Sequence, residues 1–91
     1  MKEVLSKTDD PNAPLEGQEL FELTLLDEAN ELGTGYHVRQ AHAEWSEIDG
    51  QMMWDQEEAD HFSILSQAQQ RYAERRLALV QRGFIYSDMD F

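Results

Sequence analysis

A chain of 91 residues has room for one compact domain and not for two. It holds no cysteine, which excludes disulfide scaffolds, thiolate zinc sites and cysteine nucleophiles. The formal charge of −12 is uneven: sixteen of nineteen acids fall in residues 1–60, against only Lys2, Lys7 and Arg39. So negative a surface repels phosphate backbones, and no direct nucleic-acid binding is expected.

Residues 1–14 carry Asp9, Asp10, Pro11, Asn12 and Pro14 and few apolar side chains, a composition that predicts a flexible leader before a single domain over 15–91. Residues 1–20 lack the basic start and apolar run of a signal peptide, and no window approaches a membrane span. A cytoplasmic protein that avoids membranes is the expectation.

From Glu16 to Leu32 the spacing predicts a first helix. Phe21, Leu25, Ala29 and Leu32 share one face at 100° per residue, and Gly33 and Gly35 supply the stop. A strand over Glu19–Leu26 competes, because Leu20, Phe21, Leu23, Leu25 and Leu26 form a short apolar run. A second helix is predicted from Tyr36 to Ile48, on the recurrence of Val38, Ala41, Trp45, Ile48 and Met52 at spacings of three and four. Asp49-Gly50 argues instead for a hairpin between two strands.

The third helix is predicted over Asp55–Arg82, closed by Gly83. Asp55, Glu57, Glu58 and Asp60 crowd its start while Arg71, Arg75, Arg76 and Arg82 lie toward its end, both favourable with the helix dipole. Leu65, Ala68, Tyr72 and Leu79 make the inner stripe, with Ile64 at one edge. The tail Phe84–Phe91 is apolar enough to fold back on the domain, or to pair as a short strand if the middle segment is a hairpin. The predicted fold is all-α, a three-helix antiparallel arrangement with a long C-terminal helix. Its alternative is α+β with a hairpin around Asp49-Gly50.

No nucleophile-elbow, phosphate-loop or dinucleotide pattern occurs, so no catalytic set is expected. One constellation carries chemistry. Glu58 and His61 stand three apart, which on a helix lets both reach one ion, and Glu28 holds the matching place on the first helix. The run Glu57-Glu58-Ala59-Asp60-His61 resembles the Glu-Glu-x-acid-His run of small encapsulated ferritins, within the ferritin-like di-iron carboxylate proteins. That resemblance implies Glu28, Glu58 and His61 as ligands of iron, in a site duplicated across a dimer and oxidising the ferrous ion. Without it, Glu58 reads as a helix-start acid and His61 as a hydrogen-bonded interior histidine, with no cofactor.

His37 and His42 are five apart and read as surface residues. Met52, Met53 and Trp54 read as a core or hinge cluster, or as an exposed patch that grips a partner. Together these features predict a small acidic non-enzymatic interaction module. It would engage a protein partner, itself, or both, as adaptor or inhibitor; the alternative is the ferritin-like iron-binding protein.

Overall fold

The computed structural model describes residues 1–10, 12–30 and 33–90. Pro11, Leu32 and Phe91, invoked above for the leader, the first helix and the tail, lie outside them. The chain forms strands β1 (Lys2–Ser6), β2 (Glu19–Asn30), β3 (Gly33–Ser46) and β4 (Gln51–Phe62), then helix α1 (Leu65–Gln81) and strand β5 (Tyr86–Asp90). All pairings are antiparallel, in the order β4-β3-β2-β1-β5. The all-α three-helix arrangement is therefore wrong, and so is the description of the chain as helical. Two of the three expected helices are strands, and the third keeps only its second half.

A spacing of four explains much of the error, because it returns a side chain to the same side of a helix and also to the same face of a strand. Phe21 and Leu25 obey both periods. Leu23 decides between them, since Phe21, Leu23 and Leu25 alternate along β2 and all three are buried. In β3 the steps of three break the pattern: Val38 is wholly buried against the helix, whereas Ala41 and Trp45 stand on the opposite face. The chain turns at residues 47–50, where Gly50 takes φ +64° and its N–H donates to the Ser46 carbonyl at 2.8 Å. The acids of 55–60 lie on β4 and not at a helix start. The helix opens instead at Leu65, with no acid in its first turn and no side-chain cap.

Residues 2–6 of the expected leader form β1, which lies between β2 and β5. Leu5 and Glu3 face the helix there, at 0% and 3% exposure. One face of the sheet packs on α1 through Ala68, Tyr72 and Leu79, around a core of Leu5, Phe21, Leu23, Leu25, Val38 and Phe84. The other face carries no helix; on it Ala43 is buried between its register partners Leu20 and Trp54. Among the described residues no helix is long and apolar enough to cross a membrane.

The helix ends as the glycine predicts. Gly83 adopts φ +100°, its N–H donates to the Val80 carbonyl, and the Phe84 N–H donates to Leu79. This double closure brings Phe84 back into the core beside Leu79. A side chain at Gly83 would be strained, so Gly83→Ala should cost about 1–2 kcal/mol. The expected readout is a lower denaturant midpoint with an unchanged m-value.

Candidate functional site

The hairpin of β3 and β4 carries a long acidic stretch without basic residues. From Gln40 to Gln70 the chain holds seven acids and no lysine or arginine. Glu58 and Asp60 are answered from the helix, where Arg75 pairs with both and Arg71 approaches Asp60 at 3.5 Å. The turn end has no such answer: among the described residues no lysine or arginine pairs with Glu44, Glu47, Asp49, Asp55 or Glu57. Apolar side chains stand exposed in this acidic segment. Ile48 at the turn is 97% exposed, and Met53 and Trp54 on β4 are 45% and 43% exposed.

Toward the turn of the same hairpin, opposite Asp55, lies His42. Its ring stacks on Phe21, with centroids 4.7 Å apart and planes 29° from parallel, and 19% of the side chain reaches solvent. Three carboxylates surround it. Glu44 and Glu19 approach Nε2 at 3.7 and 4.0 Å, while Glu57 lies on the Nδ1 side at 3.9 Å. Register explains the first two, because Glu19 pairs directly with Glu44 and Phe21 with His42.

A β-bulge explains the third. Between Gln40 and Ala41 the β3–β4 register shifts, so that Gln40 faces Glu58 while Ala41 faces Gln56, and Glu57 is the extra residue. The extra residue turns Glu57 to the same side as Glu58. There the Gln40 side chain donates a hydrogen bond to Glu57 Oε2 at 3.0 Å.

A second titratable group is buried away from the hairpin. Glu3 accepts hydrogen bonds from the Tyr72 hydroxyl at 2.9 Å, from Arg76 Nε at 2.7 Å and from the Ser87 hydroxyl at 3.3 Å. Burial foremost, then the bond to Glu3 and its charge, hold the Tyr72 hydroxyl well above its ordinary ionisation range; Arg76 opposes this weakly. Both carboxylate oxygens of Glu3 are thus satisfied inside the fold. Its role is structural.

The residues singled out for iron are not brought together. Glu58 and His61 sit three apart on a strand, where odd spacing sends them to opposite faces. Glu58 turns to the helix and meets Arg75, while His61 lies on the uncovered face against His37, rings 4.8 Å apart. Glu28 pairs with Gly35 in the β2–β3 register, and its side chain lies outside the described residues. Gly35, expected to end a helix, instead leaves room for the His61 ring, which a methyl group there would strike.

The five-residue spacing from His37 gives no sign of what surrounds His42, because its neighbours are carboxylates and not a second histidine. The hairpin alternative around Asp49-Gly50 puts His42 and Glu44 two apart, on one face of the strand before the turn. Glu19 joins them only once the register is known. No protein-family model, curated protein or solved structure matches the chain.

Proposed function

We propose that this chain is a non-enzymatic protein-interaction module that presents the acidic turn of the β3–β4 hairpin to a basic surface on a partner protein. One observation carries the reading: Ile48, Met53 and Trp54 stand exposed in a segment of seven acids with no lysine or arginine. Apolar side chains ringed by charge of one sign suit a partner with an apolar pocket and a basic rim. The carboxylates would speed and orient encounter, and Trp54 and Ile48, covered on binding, would hold the complex.

Self-association along the exposed edge of β4 is disfavoured by the same charges. Two antiparallel copies would set Asp55, Glu57, Glu58 and Asp60 against their own kind, and like charges facing across strands destabilise the pair. A basic partner meets no such penalty.

The test uses the full chain as bait in a native lysate, beside Trp54→Ala and a triple charge reversal, Glu44→Lys with Glu47→Lys and Asp49→Lys. A partner retained by the wild type, lost with both variants and released as salt is raised supports the proposal. Capture that ignores both variants sinks it. Unchanged circular dichroism shows that the variants keep the fold.

A further inference from the structure

We infer that Glu19, His42 and Glu44 form a site for one first-row divalent transition ion, with zinc as the probe ion. The inference is independent of any protein partner. Three ligand atoms, His42 Nε2 and one carboxylate oxygen from each glutamate, lie within 4.8 Å of one another. The centre of such a triangle lies about 2.1–2.5 Å from its corners, close to the reach of zinc–nitrogen and zinc–oxygen bonds. Small side-chain movements would bring all three into coordination, with water completing the shell.

The imidazole is oriented for the task. Phe21, 1% exposed, stacks against the ring and restricts its plane. The carboxylate of Glu57 lies 3.9 Å from Nδ1 and is itself held by Gln40. A carboxylate behind Nδ1 favours the proton on that nitrogen and leaves the Nε2 lone pair facing Glu19 and Glu44, as in carboxylate–histidine–metal arrangements. The bulge that turns Glu57 inward is what makes this backing carboxylate available.

Charge points the same way. Glu19 and Glu44 are direct cross-strand partners, a placement that costs stability unless a cation lies between them. Among the described residues no lysine or arginine pairs with Glu19, Glu44 or Glu57. Arg82, on the adjoining helix end, is engaged over the rings of Phe21 and Phe84, at 5.0 and 5.6 Å from their centroids. An imidazole nitrogen with two carboxylates selects borderline ions such as Zn²⁺ and Co²⁺ over the all-oxygen preference of Mg²⁺ and Ca²⁺.

The test is calorimetric titration of the chelator-treated full chain with Zn²⁺, with Co²⁺ absorption as a spectroscopic check. Wild type should bind one ion and give a cobalt spectrum in the visible. His42→Gln and Glu44→Gln should each weaken zinc at least tenfold, while His61→Ala, which removes the other histidine pair, leaves it unchanged. Glu44 has a side chain 67% exposed, so its conservative variant should fold even if the histidine variant does not. Absence of zinc binding at millimolar concentration overturns the site. So does binding that survives Glu44→Gln, binding lost only with His61→Ala, or equal affinity for Mg²⁺.

Discussion

Leu5→Ala is expected to lower the unfolding free energy by about 2–5 kcal/mol, the usual range for truncating a fully buried leucine. Leu5 is 0% exposed and its strand pairs on both sides, with β2 and with β5. A domain of this size is held by about 5–15 kcal/mol in all, so the loss would be a large share of the total. Chemical denaturation followed by circular dichroism reads it as a lower midpoint. Val4→Ala is the control, because Val4 is only partly buried on the face without a helix. Equal, small effects at both positions would show that β1 contributes little.

Glu3→Ala should cost about 2–4 kcal/mol, because it strands the buried Tyr72 hydroxyl and deletes packing beneath the helix. Arg76 is 43% exposed at the side chain and regains water, which keeps the cost below that of a fully buried pair. A pH signature accompanies the same group. An unfolded tyrosine loses its proton near pH 10, but Tyr72 in the fold holds its proton higher, through burial first and Glu3 second. Above about pH 10 the unfolded chain therefore binds fewer protons than the native one, and stability falls as pH rises. The slope contributed by one group approaches about 1.4 kcal/mol per pH unit. The stabilisation is fully present below pH 10. Tyr72→Phe should remove this component of the alkaline slope while lowering stability at neutral pH by about 1–3 kcal/mol. If wild type and Tyr72→Phe fall in parallel above pH 10, the raised ionisation of Tyr72 is refuted.

How much of this could be read beforehand depends on whether the deciding contact was local. The stop at Gly83 is local, since a left-handed residue and two closing hydrogen bonds lie within five residues of Leu79. So is the turn signal at Asp49-Gly50, and the buried stripe of Ala68, Tyr72 and Leu79 needs only the period of one helix. β1 is different. Lys-Glu-Val-Leu-Ser offers two apolar residues and no periodicity to speak of, and it becomes a strand because residues 21–24 and 86–90 provide partners on either side. The acids of 55–60 misled for a related reason: dipole complementarity explains them on a helix, but Arg71 and Arg75 neutralise Glu58 and Asp60 just as well across a sheet–helix interface.

The candidate site was hidden by the same non-locality. Glu19 and His42 are twenty-three positions apart and meet only through register, and the bulge at Glu57 leaves no mark in composition. Glu58 and His61 illustrate the converse. Their spacing converges on a helix and diverges on a strand, so one error of element type removed the geometry on which the iron reading stood.

The adjacency of β1 and β5 has a mechanical consequence. Lys2 lies opposite Asp90, so both ends of the described chain leave the sheet from the same end of one antiparallel strand pair. A load pulling these ends apart would break the rungs of that ladder singly, as a zipper opens, and would not shear them together. Resistance to force along this direction is set by one rung at a time, however favourable the total free energy of the sheet. A pull on the C-terminal end alone would thus peel β5, which has only β1 beside it, before the β2–β3–β4 meander feels the load, whereas a pull on the N-terminal end bears on both ladders of β1.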